Sequence, residues 1–328
     1  MPKKNIKIVT IGGGSGQYVL LSGLRDVSNF DISAVVSMVD SGSSTGRLRD
    51  ELGVLPPGDV VKCVLALSSY REKIREVIQK RFKNNSKLNG HSVGNMLLTM
   101  LSQYTNSFPE GVKALGEVLD IKGSVLPVTT DKATLVAELT DGSWLFGESA
   151  IDIPRGSQRE KIKRTFLVPH HTDNVSVYPP VIEKIKKSDY VIIGPGDLYT
   201  SIVPNFLISE VKKAIKETSA KIIFVTNIMT KYGETQNFKV SDFIKILEKF
   251  IGRKINYILF NKKKPSKKVL ESYKKQKAEL VLFKNDSLEK NRNIIKEDLL
   301  TESESLARHD YKKLSNAINK SIINKNYE

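Results

Sequence analysis

The stretch IKIVTIGGGSGQYVLLSGL, residues 6–24, decides how the chain folds. An apolar run over 6–11 predicts a buried strand, and an apolar helical pattern begins directly after a glycine-rich turn. A strand, a turn of bare backbone and a helix N-terminus together form a place for an anion, because the first helical N–H groups lack partners and the helix dipole favours negative charge. We therefore predict a phosphate site at the turn, which consists of Gly12, Gly13, Gly14, Ser15 and Gly16.

Neither familiar phosphate-loop fingerprint matches this turn. In G-x-G-x-x-G, the last position is Gln17 when the pattern starts at Gly12, and Val19 when it starts at Gly14. The pattern G-x-x-x-x-G-K-[ST] also fails, because no lysine follows the glycines. The missing third glycine counts against an NAD-dependent oxidoreductase, which stays as an alternative.

Length and composition indicate an ordinary globular protein of one large or two moderate domains. The chain has 328 residues and a single cysteine, Cys63, which excludes an internal disulfide framework and suits a reducing compartment. No apolar run is long enough to cross a bilayer, and the N-terminus enters a strand without a signal-peptide pattern. We expect a soluble cytoplasmic protein without a transmembrane segment.

The strongly basic charge raises the question of nucleic-acid binding. The formal net charge is +16, and lysines are dense over 261–268 and 272–277. They mostly punctuate helical patterns, however, and few aromatic residues lie among them to stack bases. We therefore predict anionic small molecules as ligands and no stable nucleic-acid partner.

Strand patterns alternate with helical patterns along the chain, which predicts an α/β fold with a mostly parallel sheet. The middle differs, because two alternating runs flank Asp141-Gly142 within 134–149, a strong hairpin signal, and an edge strand follows at 161–169. Asp310 is a plausible N-cap of a terminal amphipathic helix. The other predicted strands are 6–11, 31–39 and 255–261, and a strand also begins each of the segments 188–204 and 220–235. A helix is predicted from about 16, a polar loop over 40–59, and helical segments from there to about 104 with a break at 84–95.

Four loops follow predicted strands and carry Gly, Asp, Ser or Asn in place of ordinary turn residues. They begin at Gly12, Asp40, Gly194 and Asn227. In open α/β sheets, ligands bind where the strands end at their carboxyl edges. If the strands are parallel, these four loops converge on one crevice.

The second loop, DSGSSTGRLRDELGVLPPGD at 40–59, offers both acidic and basic groups. Asp40 can bond ribose hydroxyls or hold a Mg²⁺ that bridges phosphates, and both roles stay open. Arg47 is the predicted bidentate phosphate clamp. Asp59 follows a Pro-Gly turn and is as readily a helix N-cap as a functional group.

Residues 90–95, GHSVGN, contain a literal G-x-S-x-G. That motif indicates a serine hydrolase only when a strand leads into it, and the preceding FKNNSKLN is no strand. We predict instead that His91 and Asn95 face the ligand from the start of the following helix. No Cys, His or Asp cluster has zinc spacing, and the Asn227 amide can bind a base or a ribose.

The motifs, taken in order, resemble the YvcK branch of the CofD-like family, whose members are also called gluconeogenesis factors and which includes 2-phospho-lactate transferases. The resemblance runs from Gly12 to about Lys313. It rests on IGGGSG, DSGSSTGRLRDELGVLPPGD, GHSVGN, GSVLPVT, DG…GES, GPGDLYTSIVPN, TNIMTKYGET and ARHD. It implies one CofD-like domain over 1–328 with a Rossmann-like three-layer αβα fold, an antiparallel insertion at 130–170, and a Lys-rich segment at 262–328 that completes the ligand site.

The resemblance also implies particular residue roles. Arg308 in ARHD is expected to hold a nucleotide sugar, and Tyr273 matches a second contact. The family commonly has a second acid where Ser41 stands, and Gln-Pro where Lys231-Tyr232 stand. Some relatives have a Thr phosphorylation site where this chain has Tyr311, so that regulation does not carry over. The predicted ligand-binding residues are Gly12, Gly13, Gly14, Ser15, Gly16, Asp40, Ser41, Arg47, His91, Asn95, Gly194, Gly196, Leu198, Asn227, Tyr273 and Arg308.

The function implied by the resemblance is a regulator that binds a UDP-sugar such as UDP-N-acetylglucosamine. The branch is associated with cell shape and cell-wall synthesis during growth on gluconeogenic carbon sources, so cell-wall synthesis proteins and a homo-oligomer are the expected partners. One alternative is a CofD-type transferase of a phospho-lactyl group, with Mg²⁺ at Asp40 and Asp40 as its catalytic residue. The Asp40-Ser41 pair argues against it, because one acid holds Mg²⁺ less firmly than two.

Overall fold

A seven-stranded sheet organises the chain, and all of its strands are parallel. The computed structural model describes residues 5–70, 72–83, 88–154, 159–284 and 292–323, to which every structural statement below refers. The first half comprises β1 (Ile6–Gly12), α1 (Ser15–Leu24), β2 (Phe30–Val36), α2 (Ser43–Leu52), α3 (Gly58–Leu67), α4 (Glu72–Gln79), α5 (Val93–Tyr104), α6 (Phe108–Val118) and β3 (Ser124–Pro127).

A small antiparallel unit and the second half of the sheet follow. The unit comprises β4 (Ala133–Leu139), β5 (Trp144–Phe146), α7 (Glu148–Asp152) and β6 (Ile162–Pro169). The second half comprises α8 (Pro179–Lys187), β7 (Tyr190–Ile193), a π-helical turn (Leu198–Ile202), α9 (Val203–Phe206), α10 (Ser209–Glu217), β8 (Lys221–Val225), α11 (Val240–Ile251), β9 (Tyr257–Asn261), α12 (Lys267–Lys275), β10 (Asn293–Glu297), β11 (Leu300–Ser303), β12 (Leu306–His309), α13 (Tyr311–Ile318) and a second π-helical turn (Asn319–Ile323).

The strand order creates a switch point in the middle of the sheet. The order is β10-β9-β8-β7-β1-β2-β3, so the chain builds outward from β1 in one direction and from β7 in the other. Right-handed crossovers then place α1 and α11 on opposite faces. In agreement, α1 packs on α3 and α13, whereas α11 packs on α10. The predicted α/β, Rossmann-like fold with a mostly parallel sheet is confirmed, and the space between β1 and β7 is where such folds bind ligands.

Burial on both faces explains the strand sequences. All four residues of β7 are buried, and so are six of the seven residues of β1. Strands covered on both faces need near-continuous apolar runs, which is the pattern that 6–11 and 190–193 show.

The predicted hairpin and edge strand form the three-stranded sheet β5-β4-β6, with β6 at one edge. The hairpin turns at Asp141-Gly142, and its inner face packs Leu135 and Ala137 against Val39 and Ile151. Helix α7, which contains Glu148 and Asp152, directly follows β5 in the chain. The position of the three-stranded sheet therefore brings these two acidic residues to the carboxyl edge of the main sheet.

Some elements depart from the predicted pattern. Residues 40–59 were expected to be a polar loop, and that expectation is wrong, because α2 occupies 43–52. The helix buries Ser44 and Thr45 as well as Leu48, so it lacks the apolar stripe by which helices are recognised. The pattern also fails to predict β3, α6 and the three short strands of the C-terminal region. None of the described helices combines the length and apolar character that a membrane span requires.

Candidate functional site

A cleft of about 850 Å³ lies at the carboxyl end of the sheet. Gly13, Asp40, Gly196 and Asn227 all line it, so each of the four predicted loops contributes to one crevice. The β11–β12 ribbon borders the same cleft through Arg308. The convergence follows from the parallel sheet, because the loops after β1, β2, β7 and β8 leave the same edge.

The glycine turn exposes helical N–H groups to this cleft. Helix α1 starts at Ser15 with no side-chain cap, and the first N–H that bonds within the helix is that of Tyr18, which donates to Gly14 O at 2.8 Å. The N–H groups before it have no intrahelical acceptor. A Cβ at Gly14 would overlap Asp59, so glycine lets the starts of α1 and α3 approach closely. Two helix N-termini therefore flank the expected phosphate position.

Gln17 explains why the dinucleotide fingerprint fails. Its side chain is fully buried, and its Nε2 donates to the Val35 carbonyl at 2.8 Å. Its Oε1 accepts a hydrogen bond from Thr10. The amide thus ties α1 to β1 and β2, whereas a third glycine would serve close helix–strand packing.

The cleft carries an unexpected number of acids near the glycine turn. Asp40 accepts a hydrogen bond from the Gly42 N–H at 2.9 Å, and burial together with the charge of Asp59 raises the Asp40 pKa. Glu148, at the start of α7, accepts from the Ser41 N–H at 3.3 Å. Burial, with the charges of Asp40 and Asp152, raises the pKa of Glu148 to about 7. Lys62 Nζ lies 2.9 Å from Asp59 Oδ1 and forms an ion pair with it.

We expect Glu148→Gln to stabilise the protein at pH 8 and to have a much smaller effect at pH 5. The folded-state pKa of about 7 exceeds the ordinary glutamate pKa of 4.5. The folded chain therefore binds this proton more tightly, and its stability falls as the pH rises from about 4.5 to about 7. The loss is about 3 kcal/mol, and glutamine avoids it because it cannot ionise.

Urea unfolding at pH 5 and pH 8 measures this difference. Glu183→Gln is the control, because Lys187 lowers the pKa of that exposed carboxyl and no stabilisation at pH 8 follows. An equal effect of Glu148→Gln at both pH values would contradict the assignment.

A lysine surrounded by three carboxylates forms the other side of the cleft. Lys231 Nζ lies 2.8 Å from Asp197 and 3.2 Å from Glu234, and it also pairs with Asp152. The three acids hold their ligand atoms within 4.8 Å of one another, a spacing that suits a metal ion. Here the ammonium group lies among them and is their counter-ion. It joins α7, the loop after β7 and the loop after β8.

The C-terminal region contributes two of the predicted residues to the cleft lining. Tyr273 and Arg308 both line the cleft. The Tyr273 hydroxyl lies 3.3 Å from both the N–H and the carbonyl of Ala307, so it fixes β12. Arg308 is exposed on β12, and its side chain makes no hydrogen bond or ion pair with the described ranges.

Three other predicted contacts face away from the cleft lining. Arg47 lies in α2, where its Nη2 donates to the Asn89 carbonyl. His91 Nδ1 is 2.9 Å from Ser44 Oγ, and Asn95 Nδ2 donates to the same oxygen at 3.2 Å. These groups join α2 to the start of α5. The structure therefore gives Arg47 no place in the cleft, because the helical conformation of 43–52 directs it towards the 89–91 segment.

Each of the remaining predicted residues either lines the cleft or lies directly behind its lining. Gly13, Gly14, Ser15, Gly16, Asp40, Gly196, Asn227, Tyr273 and Arg308 line the cleft, whereas Gly12, Ser41, Gly194 and Leu198 lie behind it in the same loops. Ser92 is the N-cap of α5, and its Oγ accepts from the Asn95 N–H at 3.2 Å. Its place as a cap supports the rejection of the hydrolase motif.

Several lining residues have no prediction behind them. They are Lys62, Glu148, Asp152, Asp197, Thr200, Lys231 and His309. Five of them stand inside the quoted motifs, so motif membership was their available signal: Glu148 in DG…GES, Asp197 and Thr200 in GPGDLYTSIVPN, Lys231 in TNIMTKYGET and His309 in ARHD. Asp152 reaches the cleft through the fold of the antiparallel unit, which no local pattern shows.

Comparison with known proteins agrees with this architecture. The family model described as 2-phospho-L-lactate transferase CofD matches residues 8–300. The gluconeogenesis factor of Listeria innocua is 36% identical over 323 residues, which cover 98% of this chain and 97% of that protein. The gluconeogenesis factor of Bacillus subtilis is 36% identical over 314 residues, covering 95% and 96%.

A crystal structure of a UPF0052 family protein from Bacillus halodurans superposes with a TM-score of 0.90 at 35% identity. The match covers 97% of this chain and 100% of that one. Sequence and structure therefore agree over almost the whole length. The chain belongs to the CofD family, and the full-length relatives it matches there are proteins called gluconeogenesis factors.

Proposed function

We propose that this protein binds a UDP-sugar of the UDP-N-acetylglucosamine type and acts as a cytoplasmic regulator. In this role it links nucleotide-sugar supply to cell-envelope synthesis, cell shape and growth on gluconeogenic carbon sources. The observation that carries the proposal is the shared cleft, in which the α1 N-terminus at Gly14 and the free guanidinium of Arg308 border the same space. The names of the full-length relatives support the regulatory part.

The diphosphate is assigned to the end of the cleft beside the glycine turn. The uncapped N-terminus of α1 supplies N–H donors there, and Lys62 supplies positive charge from α3. Arg308 lines the same cleft from β12 and is proposed, in place of Arg47, as the guanidinium that clamps a phosphate. The cleft also contains several carboxylates, so these cations must offset repulsion of a dianionic ligand.

The nucleoside and sugar are assigned to the side lined by the loop after β8. Ile228 and Met229 provide apolar surface there, and Asn227 and Tyr273 provide polar groups. A ligand site of this kind combines apolar walls with a few convergent polar groups. The volume of about 850 Å³ falls within the usual range for cofactor-sized ligands.

A transferase is the second candidate, because two carboxylates meet at the phosphate end. A Cβ placed on Gly58 would lie 2.9 Å from Asp40 Oδ2, and the charge of Asp59 raises the Asp40 pKa. Paired carboxylates fit a Mg²⁺ ion, so Asp40 and Asp59 would hold it. The ion would supply Lewis-acid stabilisation of a transferring phosphate. Mg²⁺-dependent consumption of a nucleotide-activated donor would favour this candidate over the regulator.

Isothermal titration calorimetry with UDP-N-acetylglucosamine tests the binding proposal directly. We expect saturable binding, and a thermal-shift panel with GDP, NAD and ATP should show the largest shift for the UDP-sugar. No heat at millimolar UDP-sugar would overturn the proposal. A shift produced by NAD alone would favour the oxidoreductase alternative.

We expect Arg308→Ala to weaken binding of UDP-N-acetylglucosamine by ~10- to 100-fold, because a charge-assisted hydrogen bond contributes ~1.5–3 kcal/mol. Stability should hardly change, since the side chain is exposed. The control is Arg164→Ala, which removes the same charge from β6, outside the cleft lining. Equal weakening by both variants would indicate a general charge effect and contradict a direct contact.

A further inference from the structure

Three polar atoms in the cleft wall are buried and have no hydrogen-bond partner among the described residues: Oγ of Ser37, Nε2 of His309 and Oδ1 of Asn227. The last two lie at the ends of β12 and β8. Both residues line the cleft, and His309 is only 8% exposed. Buried polar atoms are usually satisfied, and an unsatisfied one costs ~1–3 kcal/mol. Their position in a ligand cleft indicates that a ligand supplies the missing partners.

The hydrogen bonds of His309 define which ring nitrogen carries its proton. The imidazole bonds to the backbone of Thr226. The Thr226 N–H already donates to the Leu259 carbonyl at 3.0 Å, so the partner is the Thr226 carbonyl, which can only accept. Since Nε2 is the unpartnered nitrogen, we assign the proton to Nδ1, the nitrogen that can donate to this carbonyl. Nε2 is therefore a bare acceptor, and burial, which lowers the His309 pKa to about 4, keeps the ring neutral.

The two acceptors lie on segments that pack together. Ile228, which follows Asn227, and Ala307, which precedes His309 by two positions, belong to one buried apolar cluster, so the ends of β8 and β12 meet here. Ile228 and Ala307 also line the cleft. Two acceptors on neighbouring segments with apolar surroundings match a group that presents two neighbouring donors.

We propose that His309 Nε2 and Asn227 Oδ1 form an acceptor pair that binds the vicinal hydroxyls of a sugar ring in the ligand. The assignment rests on the proposed nucleotide-sugar function and adds His309 as a residue that determines specificity. The ribose and the hexose of a UDP-sugar both offer such hydroxyls, and a three-ligand comparison distinguishes them.

The comparison uses UDP, 2′-deoxy-UDP and UDP-N-acetylglucosamine with the wild type and His309→Phe. For a ribose contact, we expect UDP to bind the wild type ~5- to 30-fold more tightly than 2′-deoxy-UDP, and the variant to lose that preference. For a hexose contact, the variant instead loses the advantage of UDP-N-acetylglucosamine over UDP. An unchanged ligand ratio in both comparisons overturns the acceptor pair.

Two further variants guard against a folding artefact. Asn227→Leu removes the second acceptor at similar volume and should shift the same ligand ratio. His91→Phe is the matched control, because His91 is also buried but hydrogen-bonds Ser44 outside the cleft lining. It should lower stability without altering any ratio. Equal effects of His91→Phe and His309→Phe on the ratios would overturn the assignment.

A nitrogen-15 NMR spectrum of the imidazole rings tests the tautomer without any ligand. We expect the free protein to show His309 protonated at Nδ1, and UDP-N-acetylglucosamine to shift the Nε2 signal. A proton on Nε2 in the free protein overturns the acceptor assignment even if UDP-sugars bind. Absence of binding by the wild type to all three ligands overturns the proposed function and this subsite with it.

Discussion

Gly16→Ala is expected to lower the free energy of unfolding by ~2 kcal/mol and to abolish UDP-sugar binding. Gly16 lies in the first turn of α1, and a Cβ there would overlap the carbonyl of Pro195 in the loop after β7. Both sides of the contact are backbone, so neither can move away as a side chain would. Alanine has a higher helix propensity than glycine, which raises the free energy of unfolding by ~1 kcal/mol at most. This gain is smaller than the cost of overpacking.

The same substitution in the facing loop is the matched control. At Gly196 the nearest atom to an added Cβ is Ser201 Cβ at 3.5 Å, an ordinary contact. Gly196→Ala should therefore change stability by less than ~0.5 kcal/mol. Urea unfolding measures both variants, and calorimetry measures the loss of binding. Similar stability losses for the two variants would show that the close approach of α1 to the β7 loop does not matter.

The close approach of α1 to the loop after β7 also shows why the position of the site was predictable from the sequence. A buried strand that ends in glycines and leads into a helix identifies a parallel strand and its carboxyl end. The other loops could then be placed at the same edge, and Gly13, Asp40, Gly196 and Asn227 do line one cleft. That inference needs the strand direction and no side-chain detail.

The orientation of Arg47 was not predictable in the same way. Its direction depends on α2, which buries Ser44 and Thr45 and holds Ser44 by hydrogen bonds to the distant residues His91 and Asn95. His91 supplies one of those bonds from 47 positions along the chain. A helix stabilised by buried polar contacts leaves no apolar periodicity, so the segment resembles a loop when the sequence is taken alone.

The charge cluster around Lys231 is hidden for a related reason. Asp152 is 79 positions away in sequence, and it reaches Lys231 because α7 follows the antiparallel unit to the main sheet's edge. The spacing of residues within a short stretch of sequence therefore does not indicate that Asp152 and Lys231 come into contact. The chain nonetheless contained one indication, because the family pattern has Gln-Pro where Lys231-Tyr232 stand. A lysine at a partly buried position needs anionic neighbours, and the fold supplies three carboxylates.

Lys231→Met should lower the free energy of unfolding by ~3 kcal/mol at pH 8, because removal of one partner leaves buried charges uncompensated. Three carboxylates then face one another with ligand atoms within 4.8 Å. The Glu234 side chain is fully buried, whereas those of Asp152 and Asp197 are 29% and 38% exposed, so the loss lies at the lower end of the range for buried pairs.

The loss should be clearly smaller at pH 5.5. Burial and the charge of Asp197 already raise the Glu234 pKa above its usual value, and Lys231 opposes that rise. Without the lysine, the folded-state pKa of Glu234 lies still further above that of the unfolded chain. The variant therefore gains stability as the pH falls and the carboxyl takes up a proton. Lys187→Met removes an exposed pair and should cost less than ~0.5 kcal/mol at either pH.

The double variant Lys231→Met/Glu234→Gln decides whether repulsion among the acids is the cause. Neutralising Glu234 removes the buried charge, so the double variant should recover most of the stability at pH 8 and lose the part of the pH dependence that Glu234 causes. Urea unfolding of the single and double variants at both pH values completes the comparison. If the double variant is as unstable as Lys231→Met, then packing of the lysine stem, and not its charge, holds the three loops together.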